Sequence, residues 1–369
     1  MIRILHLADL HLGWEPPWEE IASERRLERD KRLGRAVTWA LENRIDVVLI
    51  VGDLFETHRP PDGLVQDALA ELARLVQHGV GLVTVPGNHD EISYHDSVYR
   101  TYAAKWPGTL VTSPHLARAV TIRTPGGDLH VDSLAYTAGI TRTSEPIARF
   151  PKGDESGFHI VALHGSLDWK TNDRSLPIDQ KAIVGARYHY GALGHIHKRF
   201  STGGRFPVAY AGMIEGKSFD DPGTGSYTLA TLTEFETRIE HVDAGARRVV
   251  DVEEDAGAFE NLESLVDFLP RLVSRGDIAR LRLTGAATYP IDVERIHRCL
   301  SDICYFAAVV DGTDAAAFRL DAIAAEPTLR GVFAARMLEQ LDRAEGRDAA
   351  ILRRALTLGL SALGRERAE

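Results

Sequence analysis

Five short clusters of polar residues carry the side chains that could do chemistry in this sequence. In chain order they are Asp9-x-His11, Gly52-Asp53, Gly87-Asn88-His89-Asp90, His164-Gly165 and Gly194-His195-x-His197. They supply carboxylate, imidazole and carboxamide donors and no thiolate, which suits manganese, iron or zinc in mixed nitrogen and oxygen coordination. At least seven such donors are present, too many for one ion, so they favour two ions bridged by a shared carboxylate. Two close cations favour phosphate ester cleavage, because one generates hydroxide and both stabilise charge on the phosphoryl group.

Each cluster also has a purely structural interpretation. A lone Asp-x-His is usually an unremarkable pair of polar residues, Gly-Asn-His-Asp can form an Asx turn, and Gly-His-x-His can be an ordinary metal pair. All five occur in this order, each directly after a predicted strand. In α/β sheets, ligands collect at the carboxyl ends of strands, so clusters spread over about 190 positions can converge there.

The elements that must position these clusters alternate between strand and helix in the first half of the chain. Apolar runs at 2–7, 46–51 and 80–85 predict buried strands, and helices are predicted at about 24–43 and 64–76. After residue 110, short strands separated by Gly and Pro turns are predicted at 119–123, 129–135, 159–163, 190–193, 208–211 and 227–232. Composition shifts near Asp251, and a small α+β unit follows, with strands predicted at 279–283 and 307–310 and a helix at 293–304.

Charge and composition restrict the class of protein. The chain of 369 residues has a net charge of −10, and residues 251–329 hold 15 acidic against 7 basic residues. This acidity argues against binding nucleic acid by bulk positive charge alone, although bound metal ions could supply the field. Cys299 and Cys304 are expected to be buried free thiols in a reducing cytoplasm. No apolar run reaches the roughly 18–20 residues that span a bilayer, so no membrane association is predicted.

The five clusters in this order resemble those of the calcineurin-like metallophosphoesterase superfamily. More narrowly, the stretches 5–13, 52–55 and 59–60 resemble the SbcD family of DNA-repair nuclease subunits, which includes the meiotic recombination nuclease of eukaryotes and archaea. The stretch 209–227 resembles that family's final strands, so the motifs cover about residues 2–232. The resemblance implies an α/β fold, a four-layer αββα metallophosphoesterase sandwich, with a small α+β capping domain and C-terminal helices.

The resemblance also implies a role for each site residue. His89 would be the catalytic histidine, which stabilises the phosphoryl charge or protonates the leaving oxygen, and Asp90 would fix the His89 tautomer or its loop. The cofactors would be two divalent metal ions, for which we expect manganese, with Asp53 bridging them. The other ligands would be Asp9, His11 and His197 for the first ion and Asn88, His164 and His195 for the second.

Two positions depart from the family pattern. Glu56 stands where relatives commonly have His or Asp, and we expect it beside the active site, where it would affect metal preference or the balance of exonuclease and endonuclease activity. Ala211-Gly212-Met213 stands where relatives often read Pro-Gly-Ser, next to the predicted phosphate path. The basic run from Arg25 to Arg32 is predicted to be a solvated helix face, and it is also the best candidate for contacts to a DNA backbone.

We expect a two-metal DNA exonuclease or endonuclease that processes DNA ends in double-strand-break repair. The resemblance implies an SbcC-like coiled-coil ATPase as partner, bound by the C-terminal helices, and a homodimer, with which exposed Leu and Trp near the first helices would be compatible. The predicted domains are a catalytic domain at 1–250, a capping domain at 251–326 and a partner-docking segment at 327–369.

Three alternatives stay open. The C-terminal segment could be a helical hairpin packed on its own domain instead of a docking element. The enzyme could be a phosphatase or nucleotide phosphodiesterase acting on small phosphoesters, with the acidic residues 251–329 as a substrate lid. The chain could also be a non-catalytic adaptor for DNA ends or for an ATPase, although an intact ligand set weighs against that interpretation.

Overall fold

The computed structural model of the chain describes residues 1–137, 147–168, 175–287, 289–313, 320–344 and 346–364. The chain divides into two compact units, Met1–Arg247 and Arg248–Glu369. Every residue that the sequence marks as a ligand or catalytic group lies in the first unit and is among the described residues. The fold of that unit therefore determines the geometry of the site.

The first sheet of this unit is a mixed sheet whose middle is parallel. Within the described residues it holds six strands, in the spatial order β14 (Thr237–Asp243), β13 (Ser226–Leu232), β1 (Ile2–Leu7), β2 (Val47–Val51), β3 (Gly81–Val85) and β4 (Thr109–Leu110). Strands β1 to β4 are parallel, whereas β13 and β14 continue the sheet in antiparallel fashion from β1. The three buried strands predicted near the N-terminus and the strand predicted at 227–232 are present.

The second sheet also has a parallel centre. Among the described residues its six strands are, in spatial order, β11 (Phe200–Ser201), β12 (Val208–Tyr210), β10 (Tyr190–Gly194), β7 (Phe158–His164), β6 (Gly127–Ser133) and β5 (Ala117–Thr124). Strands β12, β10, β7 and β6 are parallel, and β11 and β5 are antiparallel edges. A small ribbon of β8 (Ser166–Leu167) and β9 (Pro177–Ile178) follows β7. These strands include all the others that the sequence predicts for this region.

The two sheets share a continuous apolar core. Alternation along β7 shows the arrangement, because Ile160 and Ala162 join the core of the first sheet while Val161 and Leu163 join a second core with Ile183. Helices cover the outer faces of both sheets. The helices of this unit are α1 (Ala22–Asp30), α2 (Arg32–Glu42), α3 (Asp62–Gln77), α4 (Val98–Thr101) and α5 (Gln180–Gly185). The order helix, sheet, sheet, helix confirms the predicted four-layer α/β sandwich.

Three of the five residues in the basic run at the first two helices are buried, contrary to the predicted solvated face, whereas Arg26 and Lys31 are exposed. Arg25, Arg29 and Arg32 are almost fully inaccessible and surround the buried carboxylate of Glu215. Arg25 Nη2 lies 2.5 Å from Glu215 Oε1, and Arg32 Nε lies 2.6 Å from Oε2. Because guanidinium groups in this position cannot reach solvent, these three arginines do not form the DNA contact that the sequence suggested.

Of the tryptophans in or near the first helices, Trp14 and Trp18 are buried and Trp39 is partly buried. Trp14 and Trp18 pack edge to face with their ring centroids 6.2 Å apart, and the guanidinium of Arg29 lies 4.6 Å from the Trp14 centroid. The expectation that exposed tryptophan near these helices could serve a dimer contact is therefore wrong. Leu27 is the exposed apolar side chain in this region.

The second unit begins with a parallel sheet in the order β15 (Val249–Asp255), β16 (Ile278–Thr284) and β17 (Phe306–Asp311). Helices α6 (Leu262–Phe268) and α7 (Val293–Ile303) connect these strands and pack their apolar side chains against them. The predicted strands and helix of this region are present. Strand β15 runs across Asp251, where the sequence suggested a boundary. Both cysteines are free, but Cys299 is only half-buried, whereas Cys304 is buried as expected.

Three helices follow: α8 (Leu320–Ala324), α9 (Leu329–Leu341) and α10 (Gly346–Gly364). Phe333 and Met337 of α9 pack with Leu356 and Leu360 of α10 in a small apolar core. A Cβ atom at Gly359 would overlap the Phe333 ring, so the glycine permits close approach of the two helices. The predicted apolar stripe therefore packs inside a helical hairpin.

Residues 345 and 365–369 of the predicted docking segment lie outside the described residues. Among the helices that the structure describes, none combines the length and the apolar composition needed to cross a membrane.

Candidate metal centre

The predicted site residues lie on loops that follow parallel strands of both sheets. Asp9 and His11 follow β1, Asp53 follows β2, and Asn88 follows β3 in the first sheet. In the second sheet, His164 ends β7, and His195 and His197 follow β10. Since the two sheets pack face to face, their carboxyl edges bring these residues of distant sequence together.

The backbone of these loops is held in unusual conformations. Asp9, His11, Asp53 and His195 have positive φ angles of 54°, 48°, 50° and 98°. Such conformations are costly for residues with a Cβ atom and persist where the surrounding structure fixes them, typically at functional sites.

The glycines of the motifs explain the close packing around these loops. A Cβ atom at Gly52 would overlap the His164 ring, and one at Gly87 would overlap the carboxylate of Asp53. A Cβ atom at Gly194 would collide with the Val51 carbonyl oxygen. The glycines therefore allow the donor side chains to approach the neighbouring backbone closely.

Asp9, His11 and His197 form one group of donors. One ligand atom from each lies within 4.8 Å of the others, and Nε2 of His11 is 3.2 Å from Nε2 of His197. Nδ1 of His197 donates to Oδ2 of Asp221 at 2.6 Å, which directs Nε2 into the group. Two imidazole nitrogens that face each other at this distance require a proton or a metal ion between them.

Asp53 connects this group to a second one. Its Oδ1 accepts a hydrogen bond from the backbone N–H of His89 at 2.9 Å, which fixes the carboxylate. Its Oδ2 lies 3.8 Å from Nε2 of His11 and 3.3 Å from Nε2 of His164. A single oxygen atom thus faces an imidazole from each sheet.

Asn88 completes the second group. Its Oδ1 lies 3.0 Å from Nε2 of His164 and 2.9 Å from Nδ1 of His195. Nδ1 of His164 lies 2.9 Å from the Val51 carbonyl oxygen, to which it can only donate, so Nε2 of the neutral ring carries the lone pair. The structure therefore brings all seven predicted ligands into one connected cluster.

Burial and the pairing of Asp53 with His164 together set the protonation of this cluster when no cation is bound. Burial raises the pKa of Asp9 to about 6 and lowers the pKa of His11 to about 3. Burial opposes charge at His164 too, but the carboxylate of Asp53 outweighs it and raises the His164 pKa to about 9. The same pairing overcomes the burial of Asp53 and holds the pKa of that carboxyl below its usual range. Protons on these groups would compete with a bound cation for the same donor atoms.

Asp90 holds the loop that carries His89. Its carboxylate accepts hydrogen bonds from the Gly87 N–H at 2.7 Å, the Phe55 N–H at 3.2 Å and the Tyr99 hydroxyl at 2.6 Å. Burial and the charge of Asp53 raise the pKa of Asp90 to about 6. Of the two roles that the sequence suggested for Asp90, these bonds correspond to fixing the loop.

His89 and Glu56 lie at the exposed side of the cluster. The His89 ring packs edge to face on His11, with centroids 4.7 Å apart, and its Nδ1 lies 3.1 Å from the carbonyl oxygen of Glu56. Glu56 Oε2 lies 2.8 Å from Nδ1 of His11, outside straight hydrogen-bond geometry. Glu56 therefore contacts one predicted ligand and the predicted catalytic histidine.

Two residues that contact the cluster are not predicted by any pattern in the sequence. Asp221 orients His197, although its surroundings, Asp220-Asp221-Pro222-Gly223, resemble an ordinary turn. Lys217 places its Nζ 3.0 Å from Glu56 Oε2. Both residues follow strand β12 in the chain. The fold brings Lys217 beside Glu56, which is more than 150 positions away, and brings Asp221 beside His197, which follows β10.

Comparison with known proteins gives relatives of the same class. An uncharacterised metallophosphoesterase of Bacillus subtilis, YhaO, is 24% identical over 302 residues, which cover 78% of this chain and 72% of that protein. The DNA double-strand break repair protein Mre11 of Aeropyrum pernix is 27% identical over 275 residues, which cover 70% of this chain and 64% of that protein. The SbcD component of the nuclease SbcCD of Escherichia coli is 26% identical over 269 residues, covering 61% of this chain and 64% of that protein.

The alignments to the last two proteins thus span less than two thirds of their length. The sequence profile described as calcineurin-like phosphoesterase matches residues 2–199, which is more than half of the chain and includes every predicted ligand. With that match and the donor cluster between the two sheets, the chain belongs to the calcineurin-like phosphoesterase family.

Proposed function

We propose that this protein is a two-metal DNA nuclease that hydrolyses phosphodiester bonds at DNA ends during double-strand-break repair. The observation that carries the proposal is the position of Asp53 Oδ2 between His11 and His164, within a cluster of seven donors from both sheets. Two of the relatives named above are a DNA double-strand break repair protein and a component of a nuclease, which supports DNA as the substrate.

The donors of the cluster fit two divalent ions. The facing Nε2 atoms of His11 and His197 can share a proton or bind one metal ion together, and the set contains carboxylate, imidazole and carboxamide groups alone. Asp53 would be shared between the ions. We assign Asp9, His11 and His197 to the first ion and Asn88, His164 and His195 to the second, and we propose manganese as the metal.

When bound, the ions supply a hydroxide nucleophile and positive charge against the phosphoryl group. The protein's own residues place and protonate the substrate. His89 is exposed, and its Nδ1 can donate to the carbonyl oxygen of Glu56, so Nε2 faces away from that contact. With a second proton on Nε2, the imidazolium would hydrogen-bond a phosphoryl oxygen or pass that proton to the leaving oxygen. Asp90 keeps this loop in position through its three hydrogen bonds.

The second candidate is a phosphatase or nucleotide phosphodiesterase for small phosphoesters. It is favoured by the charge of the second unit, where the arginines of β16 are already paired with acids of β15. Arg280 binds Asp251 at 2.9 Å, and Arg282 binds Asp251 at 3.2 Å and Glu253 at 2.8 Å. Cations neutralised in this way contribute little to DNA binding.

We further propose the partners and domain roles that the family suggests. Residues 251–326 would cap the catalytic domain, and the hairpin of α9 and α10 would bind an SbcC-like coiled-coil ATPase. The exposed apolar residues of that hairpin are Leu329, Val332, Ile351 and Leu358, and they would form the contact. A homodimer is proposed on the same basis.

The test incubates the purified chain with manganese or with EDTA, on end-labelled linear DNA and on a chromogenic phosphodiester. A His89→Ala variant is run beside the wild type, because removal of the proposed acid should abolish hydrolysis without removing the metals. Manganese-dependent shortening of DNA, absent in the variant, would support the nuclease. Cleavage of the small ester with DNA left intact would contradict it and favour the second candidate.

A further inference from the structure

Lys217 brings a positive charge to the edge of the donor cluster. Its Nζ lies 3.0 Å from Glu56 Oε2, and the same oxygen is 2.8 Å from Nδ1 of His11. The other oxygen of Glu56 is 3.7 Å from Nδ1 of His89. The ammonium group is therefore one side chain away from a predicted metal ligand and from the proposed proton donor.

The chain that carries Lys217 is anchored in the interior. Arg29 Nη2 donates to the carbonyl oxygens of Glu215 and Gly216 at 3.3 and 3.4 Å, directly before Lys217 in sequence. The carboxylate of Glu215 is fixed in turn by the buried arginines of the first helices. The Lys217 side chain is only 12% exposed, and its Nζ lies 5.9 Å from the centroid of Trp14. Contacts within the fold therefore fix the position of the Lys217 side chain, unlike that of an exposed surface lysine.

We propose that Lys217 binds the phosphate group of the substrate and that Glu56 holds the ammonium group while no substrate is bound. This inference rests on the phosphodiester hydrolysis proposed above. A lysine ammonium is a compact point charge with three donors, which suits phosphate oxygens. When a phosphate enters, Nζ exchanges a carboxylate partner for a phosphate partner, so the half-buried charge is paired in both states. No covalent bond changes in this step.

A purely structural role for Lys217 makes a different prediction. In that case the lysine only neutralises Glu56, whose negative charge would otherwise repel an incoming phosphate. Removal of Lys217 would weaken phosphate binding in both cases. Removal of Glu56 together with Lys217 separates them, because the repulsion disappears while a direct contact stays lost.

The experiment measures the binding of thymidine 5′-monophosphate to the manganese-loaded full chain by titration calorimetry. The variants are Lys217→Met, Lys217→Arg, Glu56→Gln and the double variant Glu56→Gln/Lys217→Met. Lys181→Met is the matched control, because Lys181 is exposed on α5. We expect the dissociation constant to rise about ten- to a hundredfold in Lys217→Met and in the double variant, which is the loss of one hydrogen bond to a charged group. Lys217→Arg and the control should stay close to the wild type, and Glu56→Gln should bind more tightly.

Three results would overturn the inference. They are recovery of wild-type binding in the double variant, a loss of manganese stoichiometry in Lys217→Met, and nucleotide binding that is absent or independent of Lys217. The DNA assay on the same preparations separates this from the nuclease proposal. If nucleotide binding depends on Lys217 but DNA is not cleaved, the inference stands and the nuclease proposal is rejected. If DNA is cleaved but Lys217→Met binds the nucleotide like the wild type, the nuclease proposal stands and the inference is rejected.

Discussion

Asp221 Oδ2 accepts a hydrogen bond from Nδ1 of His197 at 2.6 Å, and this contact determines which nitrogen of the ring faces the donor cluster. The hydrogen bond raises the pKa of His197 despite its burial and lowers the pKa of Asp221. A carboxylate in this position fixes the tautomer and the orientation of a ligating imidazole and increases its basicity.

Asp221→Asn should therefore weaken manganese binding about ten- to a hundredfold, the usual effect of losing an outer partner of a ligating histidine. Titration calorimetry of manganese into the metal-free chain measures the affinity. Asp220→Asn is the matched control, because that neighbour is exposed and should bind metal like the wild type. Equal affinities for the two variants would contradict the proposed role.

Asp53→Asn should reduce the manganese stoichiometry below two and slow phosphodiester hydrolysis at least about a hundredfold. The reason is that one carboxylate oxygen faces both His11 and His164, so a neutral amide weakens both ion sites together. Metal content and hydrolysis rate are measured on the same sample. Asp67→Asn, on the exposed side of α3, controls for loss of one negative charge. A variant that keeps two tightly bound ions would exclude the bridging assignment.

Glu215→Gln should lower the free energy of unfolding by about 3–5 kcal/mol, because it leaves buried guanidinium groups without their counter-charge. Urea unfolding followed by tryptophan fluorescence reports on the first unit, since all five tryptophans lie in it. Glu15→Gln provides the comparison, because its ion pair with Arg26 is exposed and is worth at most about 1 kcal/mol. Similar losses in both variants would show that the buried network does not stabilise the fold.

The buried His6 should make the metal-free protein less stable as the pH falls. Burial lowers its folded-state pKa from 6.5 to about 3, and its Nδ1 lies 2.8 Å from the Tyr190 hydroxyl. Between these values the unfolded chain binds the proton and the folded chain does not, so the stabilisation is complete above pH 6.5 and is lost as pH falls towards 3.

The expected slope from this group is about 1.4 kcal/mol per pH unit within that window. The free energy of unfolding is measured by urea unfolding from pH 7 to pH 4 with EDTA present. His6→Asn should remove the part of its pH dependence that comes from His6 and leave the remainder unchanged. Parallel stability curves for wild type and variant would show that His6 is not the source.

Local patterns in the sequence are sufficient to predict most of the strands and the donors that the structure brings into one cluster, which we propose as the ligand set. The run Val47–Val51 is apolar at every position because both faces of β2 are covered, and apolar runs of this kind are readily recognised. The predicted ligands are recognisable because each lies within two positions of a glycine or another donor near a strand end, as in Gly52-Asp53. The glycine is required because any Cβ atom there would overlap a second ligand, His164.

Contacts between distant residues are what the sequence does not predict. Arg25, Arg29 and Arg32 recur at helical spacing and look like a solvated face, because the carboxylate that buries them is Glu215, some 190 positions away. Asp221 lacks a local signal for the same reason. The apolar stripe on α9 predicts a buried surface correctly, but its partner is α10 of the same chain.

The donor cluster between the two sheets has a consequence for the lifetime of the folded protein. Asp9, His11, Asp53 and Asn88 come from the first sheet, whereas His164, His195 and His197 come from the second. Ions bound by residues of both sheets would link the two sheets of the sandwich, and unfolding would require release of the ions. Free metal at a hundred times its dissociation constant would then add about 2.7 kcal/mol to the free energy of unfolding for each ion site. The supply of the ion would thus govern the lifetime of the folded chain as well as its chemistry, and starvation for metal would leave the two sheets easier to separate.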